Sequence, residues 1–535
     1  MTTKKTAPQP THSAESEEVM HWADQVAEKV IQIKGDKAAY TVASGITPSG
    51  TVHIGNFREI ITTELVARAL KKRGKKVRFI YSWDDYDVFR KIPANMPQQD
   101  MLKTYLRKPI VDVPDPYGKE ESYARHHEVE VETALPAVGI HHEFLYQHTK
   151  YKKCEYAKQI IHALKHTEQI KTILNKFREE PLEDSWLPVT VFSLKDKSYE
   201  VSHLHWDGKH TLSYTLKDGT TEHADIMKSG NVKLLWRVDW PMRWAYEKVD
   251  FEPGGKDHST VGGSYDTGKD IVKIFDWEAP VYHMYNFISI KGGAGKISSS
   301  SGEVITLHDC LEIYEPQIVR WLFAGTRPSA EFAISFDADV IKIYEDFDTC
   351  ERIYYSEEKD VSEKELINQK RIYELSCIDA PAKKIPFQPG FRHLTNVLQQ
   401  NELDVEKTVE YFKKQLKHTE DKEKLQKRAE CAKNWIVKYA PEDFTFSINK
   451  TTPHLSLTKE QKAALHELAK RLEEKEWEDK DLHEECYVIM KNHELNPQLF
   501  FTAAYQVLIS KNKGPKLAAF LIEIKKRAVK LLKNA

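Results

Sequence analysis

The patterning of the chain predicts an α/β fold built on a parallel sheet, followed by an all-helical region. Two features carry this reading. Between residues 38 and 83 a β-type run, a Gly- and Pro-containing turn, a helical stretch and a second β-type run follow one another. From about residue 332 glycine almost vanishes, while Glu, Lys, Leu and Gln recur at helical spacing. Length agrees, because 535 residues exceed what one ordinary core supports and imply roughly two to four domains.

Residues 1–16 mix Thr, Lys, Pro, Gln and Ser, lack the apolar stretch of a secretory signal, and are expected to form a disordered leader. Trp22, Val26 and Val30 stand at i, i+4 and i+8, an amphipathic helix. A strand over Ala38 to Ala43 leads into the turn Ser44-Gly45-Ile46-Thr47-Pro48-Ser49-Gly50. Helical spacing resumes at Phe57, Ile61 and Leu65 and stops at Lys71-Lys72-Arg73-Gly74, with basic residues and a glycine at the C-terminal end. The strand Val77 to Trp83 completes a βαβ unit, which implies a parallel sheet and a ligand site at the carboxyl ends of its strands. Residues of about 95–230 break this pattern and read as an insertion; the helical region after 332 is divided near 450–457.

Composition narrows the class. Hydrophobic residues make up 40% and charged residues 30%, and no apolar run approaches a membrane span, so a protein that does not enter the membrane is expected. Six cysteines without a C-x-x-C pair point to a reducing cytoplasm. The net charge of −2 neither demands nor excludes nucleic acid. The last thirty residues are strongly basic, from Lys511 to Lys533 with Glu523 the one acid, which suits either a phosphate backbone or a solvated helix face.

Two segments carry chemistry. His53-Ile54-Gly55-Asn56 lies between the first strand and its helix, where the free N–H groups of a helix N-terminus favour anions. About 240 residues later, Lys296-Ile297-Ser298-Ser299-Ser300 follows Lys291-Gly292-Gly293-Ala294-Gly295. A loop with one fixed cation and several hydroxyls can close on a triphosphate as charge develops on leaving pyrophosphate. Taken singly, a loop histidine or a Ser-rich loop is more often structural or a linker.

Together these segments resemble the HIGH and KMSKS signatures of class I aminoacyl-tRNA synthetases, with Asn56 for the second His and Ile297 for Met. Gly45 to Gly50 leading to His53 to Glu59, then Trp83-Asp84-Asp85-Tyr86-Asp87, Arg90-Lys91 and Trp236 to Trp244, resemble the class I lysyl-tRNA synthetases in particular. So does Asp250-Phe251-Glu252-Pro253 running into Gly255-Lys256-Asp257-His258. The resemblance implies a Rossmann-type catalytic domain over 17–331 and an anticodon-binding helical region over 332–535. It also implies L-lysine, ATP with Mg²⁺ and tRNA(Lys) as substrates, and a monomer is expected.

By position, the resemblance implies that His53, Asn56 and Lys296 act in catalysis. Ser49, Gly55, Gly255, Asp257, Lys296, Ser298 and Ser300 would bind ATP, and Gly45, Thr47, Trp236, His258 and Tyr285 would bind lysine. The residues themselves suggest Asp84, Asp85 or Asp87 as partner of the lysine ammonium, with Asp84 preferred and the choice open. Two departures from the family pattern stand out. Ser301 replaces a basic residue, leaving Lys296 as the one side-chain cation of its loop. Lys119, Glu120, Ser193 and Leu216 stand where the family can carry zinc ligands, so no structural zinc is expected even though His126, His141, His142, His203 and His205 remain. The rival readings are a glutamate-specific relative, which would require an arginine at the substrate side chain, and a non-catalytic tRNA-binding or lysine-sensing relative.

Overall fold

The computed structural model describes residues 20–291 and 304–535. The expected leader and Lys296, Ser298, Ser300 and Ser301 lie outside the described residues. Helix α1 (Trp22–Lys34) precedes β1 (Ala39–Ile46), α2 (Ile54–Lys72) and β2 (Lys76–Trp83), which is the predicted βαβ unit. With β3 (Glu143–Tyr146), α3 (Trp236–Glu247), β4 (Phe251–Gly255) and β5 (Val281–Tyr285), these form a five-stranded sheet in the order β5-β4-β1-β2-β3. Every pairing in it is parallel.

The strand order places the site. From β1 the chain winds outward through β2 to β3, then returns to lay β4 against the other side of β1. Right-handed crossovers running in opposite directions put α2 and α3 on opposite faces and leave a crevice at the carboxyl ends of β1 and β4. On one face Trp240 and Trp244 pack with Ala43, Ile80, Leu145, Val249 and Val272. Burying about three large side chains of this kind contributes several kcal/mol, at roughly 1.5–3 kcal/mol each.

The stretch read as one insertion contributes β3 to the sheet, so the added structure lies on both sides of that strand. Strand β3 is short, and Leu145 is its one fully buried residue, so no alternating pattern announced it. Before it, Phe89, Met96, Leu102 and Tyr123 form a small core. After it, helices and the antiparallel strands Val201–Trp206, Thr211–Leu216 and Thr221–Asp225 build another.

The chain divides into two compact units. The first comprises residues up to Leu311, Pro316–Ile334 and Cys350–Lys383; the second comprises Glu312–Glu315, Ser335–Thr349 and Lys384–Ala535. In the first, Arg320 is buried and donates to the carbonyls of Val138 and Leu375 at 2.9 Å, which ties the segment after residue 350 to it. The second unit is helical throughout among its labelled elements from Phe391 to Lys533. Buried Arg428 there bridges Glu315 at 2.7 Å and Asp348 at 2.8 Å. Its basic terminus is largely self-neutralised: Lys513 pairs with Asp443, Lys525 with Glu476, Arg527 with Glu402 and Lys533 with Glu473. Lys516, Lys526 and Lys530 have no ion pair among the described residues.

Candidate active site

At the crevice between β1 and β4 lies a cleft of about 700 Å³. It is lined by Gly45, Thr47, Ser49, Asn56, Asp84, Trp236, His258 and Tyr285, so eight of the residues singled out from sequence converge on one space. Gly45 is required where β1 meets β2, because a Cβ there would stand 2.8 Å from the Ser82 carbonyl oxygen. Thr47 donates to Asp87 at 3.1 Å, and the Ser49 carbonyl accepts from Tyr123 at 3.0 Å.

His53 is the N-cap of α2, and its backbone N–H donates to Asn56 Oδ1 at 3.1 Å. Asn56 therefore builds the turn that presents the histidine as well as lining the cleft. A Cβ on Gly55 would lie 2.8 Å from the His53 ring, so the glycine leaves room for that side chain. The Ile54 N–H donates to the Ile305 carbonyl at 2.8 Å, so not every first-turn donor of the helix is open to a ligand. Gly255 ends β4, and Asp257 is exposed in the short turn that follows; neither lines the cleft.

The three aspartates proposed for the ammonium are engaged within the protein. Arg243 donates to Asp84 at 2.6 Å and to Ser82 Oγ at 2.8 Å. Asp85 accepts from the His148 backbone at 2.7 Å and contacts its ring. Asp87 pairs with Lys233 at 3.0 Å, and Lys233 pairs in turn with Asp239 at 3.3 Å. Burial still raises the Asp84 carboxyl against the opposing pull of Arg243. In Asp87 burial pushes upward, but Lys233 prevails and holds the group below the usual range.

Sequence reasoning missed Glu59 as a cleft carboxylate. It lines the cleft, accepts from the Gly45 N–H at 2.9 Å and from the Tyr285 hydroxyl at 2.6 Å, and has no ion pair among the described residues. Burial pushes its carboxyl up to about 8, against those two hydrogen bonds and aided by Glu252 and Asp84. The one signal in the sequence is an acid three residues after Asn56, on the same face of a helix whose neighbours Phe57, Arg58, Ile60 and Ile61 are buried. Glu252 was likewise not singled out: burial raises it to about 7, although two indole N–H groups donate to it. Trp236 and His258 supply the aromatic wall, and burial lowers His258. Arg90, Lys91 and Lys233 are the cations of the lining, whereas Lys256 is exposed outside it.

In the first added segment, His126, His127 and Glu130 offer ligand atoms that all lie within 4.8 Å of one another. Beside them Asp115 accepts backbone N–H groups of Tyr117, Lys119 and Glu120, so its carboxylate already organises the loop containing two of the replaced positions.

The arrangement offers a cleft of mixed lining, with an aromatic wall and a carboxylate that has no ion pair among the described residues, next to a helix N-terminus carrying the His53 turn. That suits a substrate with a cationic head on an apolar stem beside an anion. Comparison with known proteins gives the family. The family model described as tRNA synthetases class I (K) matches residues 20–379. The chain is 51% identical to a lysine–tRNA ligase of Borrelia garinii, covering 94% of this chain and 96% of that one. It is 46% identical to that of Treponema pallidum, at 94% and 96% coverage, and 43% identical to that of Thermococcus kodakarensis, at 96% and 98%. With most of its length matched in this way, the chain belongs to the tRNA synthetases class I (K).

Proposed function

We propose that the protein is a lysine–tRNA ligase, and the observation that carries the substrate is Glu59. A carboxylate in a partly dry cleft with no cation of its own is unfavourable unless a ligand supplies one. The lysine ammonium would meet Glu59 beside Tyr285, with the four methylenes against Trp236 and His258 and the α-amino acid end toward Thr47. A glutamate-specific relative would need an arginine at the substrate side chain; the cleft lining does hold Arg90, but the position proposed for the side-chain head is the carboxylate Glu59 beside Tyr285.

The chemistry has two steps. A lysine carboxylate oxygen attacks the α-phosphorus of Mg²⁺–ATP in line; the bond to the β-phosphate bridging oxygen breaks, leaving lysyl-adenylate and pyrophosphate. The terminal ribose hydroxyl of tRNA(Lys) then attacks the lysyl carbonyl and AMP departs. His53 and Asn56 would stabilise charge at the α-phosphate, and Ser49, Gly55, Gly255 and Asp257 would hold the nucleotide. Lys296, with Ser298 and Ser300, would meet pyrophosphate, and Arg90 and Lys91 in the cleft lining would share that charge. In the helical unit a second cleft of about 640 Å³ is lined by Arg392, His393, Lys511, Lys513 and Lys516, by the acids Glu345, Asp443 and Glu523, and by Phe444 and Phe446. That combination supports the expected contact of this region with the tRNA anticodon. A cytoplasmic monomer completes the reading. No disulfide joins its six cysteines. No helix among the described residues is long and apolar enough to cross a membrane.

The test is amino-acid-dependent ATP–pyrophosphate exchange with all twenty amino acids, with and without tRNA. Lysine alone should support exchange. Exchange with glutamate and not lysine would reject the substrate; tRNA binding without any exchange would favour the non-catalytic reading.

A further inference from the structure

We propose that Glu252 is a positioning residue for amino-acid binding: its carboxylate holds the indoles of Trp240 and Trp244 in place behind Trp236 and His258, and so sets the aromatic wall of the cleft. The proposal rests on the reading of that cleft as the lysine site.

Helix α3 places Trp236, Trp240 and Trp244 four residues apart, hence on one face. Trp236 and Trp240 stack with ring centroids 5.2 Å apart and planes 13° from parallel, and Trp240 meets Trp244 at 4.6 Å. His258 completes the group, 6.2 Å from Trp236 and 5.7 Å from Trp240. Only Trp236 and His258 line the cleft; Trp240 and Trp244 are buried behind them. The position of the visible wall therefore depends on indoles that no substrate touches.

An indole nitrogen can only donate. Trp236 donates to Ser264 Oγ at 3.2 Å. Trp240 and Trp244 both donate to Glu252, to separate oxygens, at 3.1 and 2.6 Å. A carboxylate is the one side chain of this size whose two ends both accept. A glutamine in its place could satisfy one indole but would turn an NH₂ group toward the other, donor against donor in a buried site. The misfit would be relieved by tilting Trp240, and the stack would pass that tilt to Trp236. Since this wall would hold the methylenes of the amino acid and not the phosphates, the consequence should fall on amino-acid affinity.

The experiment compares full-length wild type, Glu252→Gln, Trp240→Phe and the double variant in lysine-dependent ATP–pyrophosphate exchange, with near-UV circular dichroism of the coupled indoles alongside. Glu252→Gln should raise KM for lysine by about 10-fold or more, the order expected for an unpaired buried donor, with KM for ATP within about twofold. Trp240→Phe keeps a stacked ring but removes the donor that Glu252 holds, so it should raise KM for lysine in the same direction as Glu252→Gln. Combined with Glu252→Gln it should add little to the loss, because both changes break the same contact. The proposal is overturned if Glu252→Gln leaves KM for lysine within about threefold, if the two losses multiply in the double variant, or if KM for lysine and ATP rise together. Absence of lysine-dependent exchange in wild type would sink the lysine reading instead; the near-UV spectrum then decides, and an unchanged Glu252→Gln spectrum overturns the role of Glu252.

Discussion

Replacing Glu59 by glutamine removes the ability to ionise and little else. The glutamine carbonyl can still accept from the Gly45 N–H, and the Tyr285 hydroxyl can rotate to face the amide, so both native contacts at 2.9 and 2.6 Å have counterparts. What is lost is the attraction for a substrate ammonium. Truncating one partner of a desolvated charge pair costs about 2–5 kcal/mol. Below about pH 8 part of that attraction goes into ionising the raised carboxyl, so the lower end applies. At about 1.4 kcal/mol per tenfold, KM for lysine should rise roughly 30-fold while KM for ATP stays near wild type. The pH dependence supplies a second reading. Because burial lifts the wild-type carboxyl to about 8, the free enzyme carries it protonated below that pH, and KM for lysine should fall as pH rises toward 8. Glu59→Gln should lose this slope. Stability runs the other way: a raised carboxyl means that the folded state binds the extra proton, so its contribution is lost as pH rises toward 8. Without ligand, Glu59→Gln should therefore gain melting temperature over wild type most at pH 8.5 and least at pH 5. The assays are lysine-dependent pyrophosphate exchange across pH and thermal melting without ligand. A KM for lysine within about threefold of wild type would refute the assignment and return the ammonium to Asp84.

Three further outcomes are expected. Lys296→Ala should slow lysyl-adenylate formation roughly 100-fold, as for loss of one oxyanion-stabilising donor, with lysine affinity barely changed; pre-steady-state rates within about threefold of wild type would show that this loop is not the pyrophosphate clamp. Metal analysis of purified, untagged protein should give no stoichiometric zinc, and one tightly held ion per chain, lost on replacing His126 and His127, would place a site at the cluster with Glu130. Arg428→Met leaves Glu315 and Asp348 buried without their cation and should destabilise the helical unit by about 3–5 kcal/mol in urea unfolding; a loss below about 1 kcal/mol would show that the network is dispensable.

Much of the candidate site was legible because it depends on local order. Gly45 to Asn56 is one strand, turn and helix start, and a short contiguous segment fixes its own geometry through a cap such as Asn56 on the His53 N–H. Trp236, His258 and Tyr285 came from resemblance, and the fold gathers them at one cleft because the parallel strands β1, β4 and β5 lie in succession, with β4 between the other two. The βαβ unit and the helix-rich character of the later chain follow from hydrophobic period alone, although the expected start of that region at residue 332 falls on a short strand, Phe332–Ile334. Strand β3 did not, since four residues with a single fully buried position carry no period.

The carboxylates show where sequence stops. Chemistry and spacing required an acid near the strand ends, and Asp84, Asp85, Asp87 and Glu59 all meet that requirement on paper. Which of them is left without a cation depends on Arg243 and Lys233, 159 and 146 residues further along the chain from Asp84 and Asp87. The same holds for Glu252, which is an ordinary strand acid until α3 turns two indole N–H groups upon it. By itself the sequence determined the fold class, the family and the residue types of the cleft, because periodicity and contiguous motifs are local properties. The tertiary structure alone decided which charges are satisfied, because a buried charge is neutralised by whatever packing brings within about 3 Å, regardless of its distance along the chain.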